Sequence, residues 1–252
     1  MHQIVPHILV LNDQYWLPYS LECLRGKFNR YVIYDVGSKD ETPNIIDRFV
    51  ELEKKRGAEF YIRSFTETPH PQIQGIFRNS MIAESLSEWY LIIDGDEVYN
   101  EDDINYIADS KWTQFAYKSF FAEYSIDKIY GVVKRIEIGT DLQTRYSELR
   151  SHHRLYHQTA IWKGTHPGEE PVFNQNTSRE FYLDAITCYH FHNTLRSPLE
   201  KDVPSRERRK GKSTYKPGQL IPYNLLDVLP ILRKPIANFP VNPELEKLQH
   251  DY

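Results

Sequence analysis

Four short apolar runs, His7–Leu11, Tyr31–Tyr34, Phe60–Phe65 and Trp89–Ile93, punctuate the first part of the chain. Each is too short for a lone helix, and the central ones read as strands buried on both faces. Between them apolar residues recur at helical spacing: Leu17, Leu21 and Leu24; Ile45, Ile46, Phe49 and Leu52; Phe77, Met81, Ile82 and Leu86. Alternating strand and helix predicts an α/β fold with a mainly parallel sheet. The punctuation agrees. Asn12-Asp13 is placed to cap the first helix, with Pro18 in its first turn and Gly26 as its stop. Thr42-Pro43 offers a cap and a first-position proline to the second helix, which Gly57 closes after Lys54, Lys55 and Arg56.

The fourth run stops abruptly in acid, at Asp94-Gly95-Asp96-Glu97. If the chain stays extended, alternation puts Asp94 and Asp96 on one side, roughly 7 Å apart. Gly95 would then let a large group approach the backbone. Two carboxylates so placed repel each other unless a cation or a shared proton relieves them. A divalent metal bound with a phosphorylated ligand answers that need. The plainer alternative is an acidic turn capping a helix that begins near Glu101. In parallel α/β sheets ligands sit outside the carboxyl ends of the strands, where Asn12, Asp35, Asp94 and Asp96 all fall.

Beyond Glu101 strands dominate: Phe115–Tyr124, Val132–Ile138 and Tyr182–His192. Alternation in the last places Ile186, Cys188, His190 and His192 on one face. From Pro198 onward prolines exclude a long helix, so residues 1–197 are expected to form the main domain. Within it, 1–100 is the ligand-binding half and 101–197 a smaller mixed-strand half. Residues 198–252 are expected to be a basic, Pro-rich extension that packs over it or mediates contacts. The 252-residue chain carries a net charge of −4, which argues against a nucleic-acid partner. Its 18 tyrosines suit a cleft for sugars or bases. The distant Cys23 and Cys188 suggest free, buried thiols in a reducing compartment. No apolar stretch reaches the ~18 residues of a membrane span and no leader-like start is seen, so a cytoplasmic protein is expected.

Several motifs, taken in order, resemble glycosyltransferases of the family 2 type, which have the GT-A fold. Val32-Ile33-Tyr34-Asp35-Val36-Gly37-Ser38-Lys39-Asp40-Glu41-Thr42 resembles that family's strand and loop ending D-x-G-S-x-D-x-T. Arg78-Asn79 resembles its R-N, and Asp94-Gly95-Asp96 its D-x-D. Arg154-Leu155-Tyr156 with Trp162-Lys163-Gly164-Thr165-His166 resembles the R-L-F…W-x-G-x-H-E of a bacterial branch. The resemblance covers roughly residues 4–100 well and 150–195 more loosely.

What the resemblance implies is an inverting, hexosyltransferase-type enzyme using a nucleoside-diphosphate sugar, a UDP-sugar by analogy. The acceptor, whether glycan, lipid or protein, stays open. Asp35 would hydrogen-bond the base, and Asn12 either joins that pocket or caps a helix. Arg78 would offer its fork to the diphosphate or to Asp94. Asp94 would contact ribose or sugar, and Asp96 a metal, Mn2+ or Mg2+. His192, or His190 on the same face, would add an imidazole, a mixed set that suits Mn2+. The basic run around Arg208 would close over the diphosphate. The catalytic base is least defined: His166 is followed by Pro167-Gly168-Glu169-Glu170 rather than directly by Glu, leaving Glu169 as first candidate, then Glu170 and His166. Two other readings compete. One is a catalytically inactive GT-A domain that binds nucleotide or glycan. The other is a haloacid dehalogenase-type phosphatase, in which Asp94 would be the nucleophile.

Overall fold

The structure is a computed structural model. It describes residues 3–67, 74–109, 129–138, 142, 144–158, 160–163, 170–172, 179–191, 194–200, 219–220, 224–233, 235–236, 239, 242–243 and 245–246. Within these, only the backbone is described for 129–130, 144–153, 170–172, 179–182, 184–185 and 219–220.

The first half follows the sequence pattern closely. Strand β1 (Ile4–Val10) leads to helix α1 (Leu17–Leu24), β2 (Arg30–Asp35) to α2 (Thr42–Lys54), and β3 (Glu59–Ser64) to α3 (Gln74–Ser85). Next comes β4 (Trp89–Asp94). These four strands lie parallel in the order β3-β2-β1-β4. Every residue of β1 is buried, as its unbroken apolar run demands. The exposed β3 is the edge. Gly26 and Gly57 do close α1 and α2, both in the left-handed conformation (φ +74° and +89°) that a helix stop requires.

The capping predictions fail in an informative way. α1 has Trp16 at its cap position and no side-chain cap, and α2 has Glu41 there, likewise without one. The loops after β1 and β2 are instead joined by the side chains of Thr42, Ser38 and Asn12, the last accepting the Lys39 N–H, while the Asp13 carboxyl group turns to Leu11 and Arg196. The Asp13 N–H donates to Thr42 Oγ1 (2.9 Å) and the Asn12 N–H to Ser38 Oγ (2.9 Å).

Past β4 the sheet changes direction. β7 (Thr144–His157) runs antiparallel to β4, and β6 (Ile129–Ile138) antiparallel to β7. Strand β10 (Arg179–His190) is parallel to β6, and β5 (Glu97–Tyr99) antiparallel to β10. The full order is β3-β2-β1-β4-β7-β6-β10-β5, with β11 (Gln219–Leu220) beside β7. Helix α4 (Glu101–Ala108) follows β5, capped by the Asn100 side chain. This sheet must curl. Laid flat, β4 and β5 would stand four strand spacings apart, about 19 Å. Yet they are joined by Gly95 and Asp96, and three residue steps reach about 10–11 Å at most. The acidic link therefore sits where the curled sheet brings β5 back to the carboxyl end of β4.

Two further strands, β8 (Ile161–Lys163) and β9 (Glu170–Val172), form a separate hairpin. Late in the chain lie a short helix α5 (Leu225–Val228) and a 3-10 turn (Pro230–Arg233). Their Leu225, Leu226, Leu229 and Leu232 pack into a core with Trp16, Tyr19 and Phe191. Cys23 and Cys188 are buried and free. Among the described residues no helix is long and apolar enough to cross a membrane.

Candidate active site

The strand ends at Asp94, and Gly95-Asp96 form a turn before β5 begins. This corrects the expectation that the two aspartates share one side. Alternation holds only while the chain stays extended, and here it bends between them. Asp94 keeps its side chain about a third exposed (34%), whereas Asp96 is buried.

Asp94 is held between two guanidinium groups. Arg78, on α3, donates from Nη2 to Oδ1 (3.1 Å), and Arg154, on β7, donates from Nη2 to Oδ2 (2.7 Å). The same Arg154 Nη2 donates to Oε1 of Glu97, whose side chain is wholly buried. Glu97 Oε2 in turn accepts the Asp94 N–H (3.3 Å). Burial pushes the Arg154 pKa down, but Glu97 and then Asp94 outweigh it and hold the group well above the ordinary arginine value. Sequence reasoning quoted Arg154 within a motif but assigned it no role. The available signal was Glu97, an acid at the start of a buried strand that needs a cation partner.

Asp96 faces the end of β10, where His190 Nε2 lies 3.4 Å from its Oδ1. The Asp96 carbonyl accepts the Phe191 N–H (2.9 Å), which fixes the turn against β10. Beneath Gly95 lies the Asp13 carboxyl group: a Cβ added at Gly95 would come within 2.7 Å of it. The close neighbour that a glycine permits here is therefore Asp13. Asp13 Oδ2 accepts the Leu11 N–H (3.1 Å), and Oδ1 lies 3.3 Å from Arg196 Nη1. Burial pushes the Asp13 carboxyl up to about 7, with Arg196 opposing and Asp96 and Asp94 adding.

At the ends of β1 and β2, Asp35 is buried and its Oδ1 accepts the Ser38 N–H (2.9 Å). Asn12 sits at φ +52°, a left-handed conformation that asparagine tolerates. Its Oδ1 accepts the Lys39 N–H (2.7 Å). The two residues thus join one turn beside the acidic link, and the helix-cap role for Asn12 is not what the structure shows.

His166, Glu169, His192 and Arg208 lie outside the described residues. Glu170 opens β9, its backbone opposite Lys163. Among the described residues no cluster of three or more His, Cys, Asp or Glu is arranged to hold a metal. The Asp96 and His190 pair supplies one carboxylate and one imidazole, a partial donor set of the kind Mn2+ accepts.

A parallel half-sheet, antiparallel strands beyond β4 and an acidic turn at the carboxyl end of β4 together make up an α/β fold, with the parallel half that the strand–helix alternation predicts. No protein-family model matches the chain. Two curated relatives are similar to it. The SPbeta prophage-derived glycosyltransferase SunS of Bacillus subtilis is 28% identical over 219 residues, covering 86% of this chain and 45% of its own. Glycosyltransferase SunS of Bacillus phage SPbeta matches with the same figures. The chain thus spans about half the length of the curated relatives it matches. Among solved structures, S. aureus TarS aligns with a TM-score of 0.47 at 11% identity, over 75% of this chain and 36% of its own. GalNAc-T7, solved with UDP, GalNAc and Mn2+, aligns with a TM-score of 0.45 at 7% identity, over 78% and 45%.

Proposed function

We propose that this chain is a glycosyltransferase domain. It would move a sugar, with inversion, from a nucleoside-diphosphate sugar (a UDP-sugar first) to an acceptor hydroxyl, with Mn2+ or Mg2+ as cofactor. The observation that carries the reading is the meeting of Asp96 with His190 at 3.4 Å, at the carboxyl end of β4. Similarity to SunS, named a glycosyltransferase, supports it.

Asp96 and His190 are the residues that would hold the ion. Bound there, it would supply positive charge to a departing nucleoside diphosphate. Arg154 and Arg78 fix the Asp94 carboxylate, so that it meets ribose or sugar in one orientation. Among the described residues, Nε and Nη1 of Arg78 are buried and have no hydrogen-bond partner. Leaving charged donors unsatisfied is costly, and diphosphate oxygens would relieve that cost. Asp35 and Asn12 form the base side of the site, and Arg208 belongs to the basic run proposed to close over the diphosphate. Glu169, Glu170 and His166 are the proposed bases, with His192 as a further metal ligand; residues 1–197 form the proposed catalytic domain, and the protein is proposed to work in the cytoplasm. The phosphatase alternative finds no support, because both Asp94 oxygens are held by guanidinium groups where a nucleophile must be free to attack.

The test is a thermal-shift series with UDP, GDP, Mn2+ and their combinations on the wild type and Asp96→Asn. At ~100 Kd a ligand adds about 2.7 kcal/mol, a rise of roughly 5 °C or more for a domain this size. UDP with Mn2+ should give the largest shift, and the variant should lose its metal-dependent part. An equal shift in the variant refutes the assignment. Slow UDP release from UDP-sugars without acceptor separates an active transferase from an inactive binding domain.

A further inference from the structure

Residues 78 and 79 are neighbours on α3 but turn to different parts of the molecule. Arg78 holds Asp94. Asn79 reaches the hairpin β8–β9, whose strands pair with each other in a two-stranded sheet among the described residues. Its Nδ2 donates to the Trp162 carbonyl (2.9 Å), and its Oδ1 accepts the Trp162 N–H (2.8 Å). The side-chain amide thereby pairs with Trp162 as an adjoining strand would.

The hairpin's register explains why such a partner is needed. Trp162 stands opposite Pro171, between the pairs Ile161–Val172 and Lys163–Glu170. In antiparallel pairs alternate residues turn their N–H and C=O outward, and proline has no N–H to return. The polar backbone of Trp162 thus faces α3, where Asn79 meets both groups. A second anchor comes from the indole: Trp162 Nε1 donates to Tyr90 Oη (3.0 Å) on β4, and its ring packs edge-on against Tyr156 on β7. Trp162 is buried, while Ile161 and Lys163 on either side are exposed.

We infer that Asn79 is a positioning residue. It docks the hairpin onto the helix turn that also presents Arg78 to Asp94, and through that turn a nucleotide at the acidic site steadies the hairpin. Glu170, a proposed base, opens the second strand of this hairpin, so its place relative to Asp94 is set by the same helix. The docking stands on the hydrogen bonds alone. The link to nucleotide rests on the glycosyl-transfer reading.

Hydrogen exchange at the Trp162 amide tests it, measured in the wild type, Asn79→Ala and Asn79→Asp, each with and without UDP plus Mn2+. Without nucleotide, Asn79→Ala should exchange about tenfold faster, for the loss of a bond pair. Asn79→Asp keeps an acceptor for the N–H but sets an oxygen against the Trp162 carbonyl, and should fall between. With UDP and Mn2+ the wild-type amide should slow further, by about threefold or more, and the Asn79→Ala amide should not. A purely structural asparagine would produce the first effect and not the second. The inference is overturned if both variants exchange at the wild-type rate, or if nucleotide protects Trp162 equally in Asn79→Ala. Absence of a thermal shift with UDP in the wild type would instead overturn the donor-site reading, and nucleotide-free exchange would still decide the docking.

Discussion

Replacing Arg154 with methionine keeps most of the side-chain volume and removes the charge facing Glu97 and Asp94. The two contacts are unequal. Asp94 is about a third exposed, so solvent screens it and its share is under ~1 kcal/mol. Glu97 is fully buried, and removing one partner of a buried pair costs about 3–5 kcal/mol. Because Glu97 keeps its bond to the Asp94 N–H, the expected loss is near the lower end, about 3 kcal/mol. That is a large fraction of the ~5–15 kcal/mol of a typical domain. Urea unfolding of the wild type, Arg154→Met, Glu97→Gln and the double variant at pH 7.5 reads the effect. The double variant should recover about 1.5 kcal/mol or more over the sum of the single losses. A deficit under about 1 kcal/mol refutes the reasoning.

His7 is buried in β1, stacked on Tyr90 at 4.5 Å, and among the described residues neither ring nitrogen has a hydrogen-bond partner. Burial, aided by Arg78, holds its pKa well below 6.5. Only the unfolded chain takes up this proton as pH drops below about 6.5, so stability should fall by up to ~1.4 kcal/mol per pH unit; urea midpoints between pH 7.5 and 5.5 should show this slope reduced in His7→Phe. Gly95→Ala forces a methyl group against the anchored Asp13 carboxyl and should cost about 1–3 kcal/mol in thermal melts, with partial recovery in the Asp13→Ala background. Thr42→Val strips the buried Asp13 N–H of its acceptor and should cost about 1–3 kcal/mol in urea unfolding.

The parallel half was legible because its signals are local. β1, β2 and β4 are continuous apolar runs, and Gly26 and Gly57 stop helices for a backbone reason that sequence states directly. The site was legible only in part. Asp94, Asp96 and Arg78 were marked by motif, and His190 was among two histidines named for the Asp96 side. What could not be read depended on pairings distant in sequence. Arg154 reaches Asp94 across 60 residues, and nothing near either residue announces it. The shared side expected for Asp94 and Asp96 failed because β5 pairs with β10, which obliges the chain to turn between them. Asn12 and Thr42 have the chemistry of helix caps, but the Lys39 N–H took the side chain of the first and the Asp13 N–H that of the second.

The return of β5 to the sheet through β10 bears on how the chain matures during synthesis. A nascent polypeptide that has emerged as far as Glu101 already owns the parallel strands and the acids at 94, 96 and 97. The counter-charges Arg154, Arg196 and the facing His190 have yet to be translated. Arg78 already stands at Asp94, but Glu97 has yet to meet Arg154, so the acidic end stays open to water. The amino-terminal half is a scaffold awaiting its closing pieces, and expressed alone it should stay open at that end until the downstream strands are supplied.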